Sequence, residues 1–207
     1  MGFHKKTIND VPLDNQTVLV RVNYDIPVNN GNLADDLWVR ASLPTIENLL
    51  ERGCKVVVIG HHGSPAVKDI KYSLEPAAAR LARLLRRDIR FVSEAVGDRV
   101  LQAVKKSPST GVIVLENLHF YPGEEFNDRE FARSLVTSTG ARYFVQDGFG
   151  VTHKKHASTS AIADFVPSVA GLALTDDYNT IIQIMESTGA KNKLNLPGID
   201  ALLDARS

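Results

Sequence analysis

The chain of 207 residues is short of several things, and each shortage removes a class of function. There is one cysteine, Cys54, so neither an internal disulfide nor a C-x-x-C redox or metal motif is available. Lys and Arg number 24 and so do Asp and Glu, so the formal net charge is zero. A general nucleic-acid binder usually carries a basic excess, and this balance argues against one. No run approaches the ~20 apolar residues of a membrane helix, and MGFHKKTINDVPLD lacks the apolar stretch of a signal peptide. The expectation is a cytoplasmic protein with no nucleic-acid and no membrane partner. Internal repeats, low-complexity tracts and Pro/Gly/Ser-rich linkers are also missing, which favours one domain. The phosphate loop G-x-x-x-x-G-K-[ST], the dinucleotide fingerprint G-x-G-x-x-G and the nucleophile elbow G-x-S-x-G do not occur.

What is present is a 43% hydrophobic content, enough for a substantial core, laid out in a rhythm. Residues 17–24 (TVLVRVNY), 55–60 (KVVVIG), 89–93 (IRFVS), 111–117 (GVIVLEN) and 142–147 (RYFVQD) are nearly continuous in apolar residues. Such runs suit strands buried on both faces. Helical patterns lie between them at residues 43–53, 73–87, 96–107 and 127–140. Gly53 reads as a helix stop, Ser73 as a cap, and Asn127 with Glu130 as a capping-box pair. Strand and helix alternating in this way predict a doubly wound, Rossmann-like α/β fold, three layers around a parallel sheet. Beyond about residue 164 the pattern loosens: a short strand in VPSVAGLAL, a helix in TDDYNTIIQIMES, then a polar loop ending in a short helix.

Ligands of open parallel sheets bind beyond the carboxyl ends of the strands. Those ends carry Arg21, Asn23 and Asp25; His61, His62 and Ser64; His119; and Asp147, His153, Lys154 and His156. Five of the six histidines therefore collect on one rim. Taken singly, a histidine there is more often a hydrogen-bonded structural residue, and Gly60, Gly63, Gly148 and Gly150 can serve tight turns. Taken together with Arg21 and Lys154, they suit a phosphate or carboxylate ligand. His61-His62 and His153-x-x-His156, with Asp25 and Asp147, contain metal-binding residue types, but at no recognised spacing. No metal is expected.

At the same strand ends the chain resembles phosphoglycerate kinase, in that family's N-terminal, phosphoglycerate-holding domain. VLVRVNYDIPV is similar to VLLRVDFNVPL, and RASLPTIENLLERG to RAALPTIKYLLEKG. GHHGSP stands in place of SHLGRP, KYSLEPAAARLARLL in place of KYSLEPVAERLSELL, VLENLHFYPGEEFND in place of LLENLRFYPEEEKND, and QDGFGVTHKKHAST in place of NDAFGTAHRAHAST. The resemblance implies binding of 3-phosphoglycerate, 1,3-bisphosphoglycerate or a related small anionic acid. Its implied contacts are Arg21, Asn23, Asp25, Trp38, His61, Ser64, His119, His153, Lys154 and His156, with no catalytic residue assigned.

Two departures qualify that expectation. Trp38, Ser64, His119 and Lys154 stand where the family has arginines, and the polar pair of RVDFN is reversed as Asn23 and Asp25. A charge-assisted hydrogen bond contributes roughly 1.5–3 kcal/mol. Losing three such donors and exchanging one for lysine removes on the order of 5–9 kcal/mol if the losses add, against about 8 kcal/mol for a micromolar ligand. Protonated histidines, below an unperturbed pKa of ~6.5, are expected to compensate in part. The second departure is length. Residues 1–186 resemble the N-terminal domain, and residues 187–207 resemble the family's extreme C-terminus, expected to pack on that domain through a helix at 196–203. The nucleotide domain between them is expected to be absent, leaving Ser187-Thr188-Gly189 of the family's glycine run. No cofactor is therefore expected in this chain, with ATP or ADP and Mg²⁺ relevant only if a separate nucleotide domain supplies them. The expected partners are a small phosphorylated or carboxylated metabolite and, as alternatives, a nucleotide-domain protein or a regulatory protein. Kinase turnover by the chain alone is not expected.

Overall fold

In the computed structural model the described residues are 3–29, 32–65, 67–188 and 197–200. The strands in chain order are β1 (Thr17–Arg21), β2 (Val28–Asn29), β3 (Asn32–Leu33), β4 (Lys55–Ile59), β5 (Ile89–Val92), β6 (Val112–Leu115), β7 (Tyr143–Gln146) and β8 (Ser168–Ala170). Six of them form one parallel sheet in the order β5-β6-β4-β1-β7-β8, while β2 and β3 pair as a small antiparallel hairpin. The helices are α1 (Leu37–Ala41), α2 (Leu43–Glu51), α3 (Glu75–Leu85), α4 (Asp98–Lys106), α5 (Pro122–Glu125), α6 (Arg129–Thr139), α7 (Leu172–Thr188) and α8 (Pro197–Asp200). The doubly wound α/β reading is correct.

The period of two along each strand divides the core into two layers. Val18 and Val20 of β1 pack with Ile46, Leu49, Ala77 and Leu81 of α2 and α3. Leu19 of β1, Val57 of β4 and Ile113 of β6 pack on the other face with Val100 of α4 and Leu135 of α6. Each such side chain, fully withdrawn from water, contributes about 1.5–3 kcal/mol. The same parity sends Arg21, two residues after Leu19, toward the α4/α6 face. It sends Asp147, two residues after Val145, toward the α2 face.

Local signals decide the helix ends. Gly53, at φ +73°, lies just past α2 as the stop signal requires. Ser73 Oγ accepts the Glu75 N–H at the start of α3 (3.1 Å), although Leu74 holds the cap position itself. The capping pair expected at Asn127 and Glu130 is corrected. Asp128 is the N-cap of α6, its carboxylate accepting the N–H groups of Glu130 (2.7 Å) and Phe131 (3.3 Å). Asn127 is drawn into the left-handed region (φ 52°) and its Oδ1 accepts the Ala161 N–H instead. Helix α7 begins earlier than the pattern in 175–187 suggested, because Gly171 ends β8 and the chain turns directly into it. Of the tail, Pro197–Asp200 is helical and Ile199 is buried with Ala170 and Leu174. Gly189 and the remainder of the expected 196–203 helix lie outside the described residues.

Strand β1 has β4 on one side and β7 on the other, so the chain leaves the middle of the sheet in both directions. The carboxyl ends of these strands border a topological switch point, the place where open α/β sheets form crevices.

Candidate functional site

Arg21 ends β1 and is wholly buried. Its Nε donates to Ser158 Oγ (2.9 Å), its Nη1 to the Val22 carbonyl, and its Nη2 to His61 Nδ1 (3.0 Å). Ser158 in turn donates from Oγ and N to the carboxylate of Glu124, a residue of α5 with no exposed surface. The guanidinium charge is thus answered inward, through one hydroxyl, by a buried carboxylate. Burial lowers the Arg21 pKa to about 10, against the pull of Glu124 and Asp25. It raises that of Glu124, against the pull of Arg21.

The contact with Arg21 also fixes a tautomer. A guanidinium only donates, so His61 Nδ1 accepts and the ring proton sits on Nε2, which lies 3.9 Å from Asp25 Oδ2. His119 is fixed the other way, because its Nδ1 donates to the Gly63 carbonyl (2.7 Å) and leaves Nε2 as a buried lone pair without a partner. The rings of His61 and His119 lie 4.2 Å apart, centroid to centroid, and those of His119 and His156 5.6 Å apart. His156 Nδ1 is also unpartnered, 3.8 Å from Glu124 Oε1. Three imidazoles therefore form a row above the buried Arg21.

This row is neutral. Burial, then the charge of Arg21 and the neighbouring His119, press the His61 pKa far below the ordinary imidazole value. Burial is also the largest cause for His119 and His156, with Arg21 and Lys154 adding to it, and both fall to about 4. The unperturbed imidazole value of ~6.5 therefore does not apply to His61, His119 and His156. Lys154 acts on all three rings and its ammonium has no hydrogen-bond or ion-pair partner among the described residues.

The remaining site residues divide. Asp25 accepts the Gly63 N–H (2.7 Å) and lies 3.5 Å from His62 Nδ1; these neighbours hold its carboxyl well below the usual range. Gly63 makes that turn at φ +59°. Ser64 and His153 are exposed. Trp38 is not in the histidine row. It lines a separate crevice with Asn23, Asp147, Gly148, Phe149 and Asp177, on the face to which strand parity directs Asp147. Among the described residues, no three of His, Cys, Asp and Glu are grouped to hold a metal ion. Nor is any helix there long and apolar enough to cross a membrane.

Sequence reasoning missed Ser158, Glu124 and Asn117. Asn117 is buried and ties the rim loops together, donating to the carbonyls of His62 (2.7 Å) and Tyr72 (2.9 Å) and accepting the His119 N–H (2.9 Å). The available signal was position, since all three sit inside the segments that resemble family motifs.

Comparison with known proteins agrees with this architecture. A sequence model described as phosphoglycerate kinase matches residues 8–195. The phosphoglycerate kinase of Desulforudis audaxviator (strain MP104C) is 43% identical over 183 residues, covering 87% of this chain and 46% of that protein. That of Borrelia hermsii (strain HS1 / DAH) is 38% identical over 183 residues, covering 88% and 46%. The crystal structure of phosphoglycerate kinase from Pyrococcus horikoshii OT3 superposes with a TM-score of 0.78 at 29% identity, over 91% of this chain and 47% of that one. The chain spans about half the length of the curated relatives it matches. With a match over most of its length, a shared sheet architecture and the motifs at the strand ends, the chain belongs to the phosphoglycerate kinase family.

Proposed function

We propose that this domain binds a small anionic acid, 3-phosphoglycerate, 1,3-bisphosphoglycerate or a close relative, and does not by itself transfer a phosphoryl group. The observation that carries this reading is the convergence of His61, His119 and His156 with the unpaired ammonium of Lys154 at the carboxyl ends of the strands. The anion meets Lys154 and imidazole N–H groups, with Arg21 beneath them. It also takes up protons. Its negative charge offsets the cations that hold His119 and His156 at about 4, so binding raises their pKa values and tightens as the pH falls. Phosphoryl transfer needs donor and acceptor positioned and their charge neutralised together, and Trp38, Ser64 and His119 offer none of the arginine charge the family places there.

Calorimetric titration with 3-phosphoglycerate at pH 5.5 and pH 8 tests the binding, with the ionisation of the phosphate itself measured separately. Tighter binding at pH 5.5 is expected; no binding at either pH overturns the reading. ATP formation at a normal rate from ADP and 1,3-bisphosphoglycerate by this chain alone overturns the second half.

Membership of the phosphoglycerate kinase family supports a second reading, in which this domain is the functional half of a glycolytic kinase that works together with a nucleotide-binding domain. Mixing the two then restores activity that Arg21→Ala and His61→Ala abolish.

A further inference from the structure

The crevice under Trp38 has a chemistry of its own. It lies between α1, the segment after β1, the carboxyl end of β7 and the start of α7, and its lining includes Asn23, Trp38, Asp147, Phe149 and Asp177. Asp147 is 4% exposed. Its Oδ1 accepts from Thr45 Oγ1 (2.7 Å) and from the Ala173 N–H (3.1 Å), but its Oδ2 has no partner. Once Asp147 has given up its proton, leaving its buried oxygen unpaired is costly, and a group that relieves it donates a hydrogen bond, preferably with positive charge.

None of the lining residues supplies that charge, since no lysine, arginine or histidine borders the crevice. The groups facing Asp147 are Asp177 on α7 with Asp176 beside it, the Tyr24 hydroxyl after β1, and the Thr45 hydroxyl on α2. All are neutral or acidic. Among the remaining lining residues, Trp38 and Phe149 offer aromatic surface. Two carboxylates and two aromatic rings around one space are the components of ammonium recognition: acceptors for N–H donors and ring faces for the charge. The space, partly open to solvent, is ≈ 10 Å³, about one water-sized sphere, which suits the head of a primary amine.

We propose that this crevice is a binding site for the primary ammonium head of a small amine, held by Asp147 Oδ2 and Asp177 against the rings of Trp38 and Phe149. It includes none of the histidine row, although Asn23 and Trp38, two of the contacts implied by the family resemblance, line it. The residue change at position 38 contributes twice, removing the arginine expected from the family resemblance and supplying a ring.

Trp38 is the sole tryptophan of the chain, so its emission reports directly on the crevice. The test is a fluorescence titration of the full chain at pH 8 with methylammonium chloride. Ionic strength is held constant with NaCl, and potassium chloride and tetramethylammonium chloride are titrated in parallel. A saturable change with methylammonium is expected, with no saturation by the quaternary ion, which is too large to enter. Asp147→Asn and Asp177→Asn should each weaken the response about tenfold or more, the loss of one charge-assisted hydrogen bond. Asp177 is exposed, so its variant remains informative if Asp147→Asn fails to fold, which circular dichroism reports. No saturable response to methylammonium, an equal response to potassium, or a response unchanged in a folded carboxamide variant overturns the proposal.

Discussion

Asp147→Asn tests whether one buried carboxyl sets the pH dependence of this fold. Burial lifts the Asp147 pKa from 3.8 to about 7, despite the hydrogen bonds from Thr45 and the start of α7. A raised folded-state pKa means that the native protein holds a proton the unfolded chain has already released. The stability linked to that proton is fully present below the unfolded pKa of 3.8, falls as the pH rises, and is lost once the pH passes about 7. The slope is about 1.4 kcal/mol per pH unit, so the whole window amounts to about 4 kcal/mol. Raising the pH from 5 to 8 crosses about two units of it, or about 3 kcal/mol out of a typical total of 5–15. Asparagine keeps an oxygen for Thr45 and Ala173 but cannot ionise. Urea unfolding of both proteins at pH 5 and pH 8 isolates the effect, because the histidines and other carboxyls titrate alike in each and cancel in the difference. The native protein should lose about 3 kcal/mol more than Asp147→Asn over this range, through the midpoint and with an unchanged m-value. Equal pH dependence in the two proteins would refute the reasoning.

Three further outcomes follow from the same contacts. Ser158→Ala removes the hydroxyl that joins Arg21 to Glu124 and leaves two buried charged groups under-satisfied; chemical unfolding should show a loss of about 2 kcal/mol or more, and unchanged stability would remove Ser158 from the network. Gly171→Ala places a methyl 2.0 Å from Asp147 Oδ1; the carboxylate must leave Thr45, at a cost of about 1–3 kcal/mol read as a lower melting temperature, and a neutral result would show that the start of α7 yields. Lys154→Ala takes a cation away from the imidazole row, so histidine NMR titrations should move the His119 and His156 midpoints upward from about 4 while calorimetry shows weaker 3-phosphoglycerate binding; midpoints that stay fixed would contradict the placement of Lys154.

How much was legible depended on which physics was local. The five main strands could be read because a strand buried on both faces must be apolar throughout, and Val56, Val57 and Val58 of β4 have no other explanation. The hairpin of β2 and β3 and the short α1 were not read, since two-residue strands and a five-residue helix are too short to show a period. Asn127 and Asp128 were equally good caps in isolation. The bond from Asn127 to Ala161, 34 residues away, decided between them. The inward direction of Arg21 was legible in principle from its parity with Leu19. The neutrality of the histidines was not, because it depends on burial and on Lys154 arriving from a different strand end. Trp38 could be identified as a departure from the family pattern, but its partner Asp147 came together with it only through the opposite parity of β7.

That parity carries a consequence for the site as a whole. Successive sheet faces receive Arg21 and Asp147, so the one switch point feeds two spaces of opposite character. On one face the arginine charge is spent on Glu124, and Lys154 is the cation left for a ligand. On the other face Asp147 and Asp177 border a space with no lysine, arginine or histidine in its lining. If an anion binds at the histidine row as proposed, it is met by the Lys154 ammonium and by neutral imidazoles whose charging raises the affinity at low pH, a pH dependence that arginines, charged at every pH of interest, would not show.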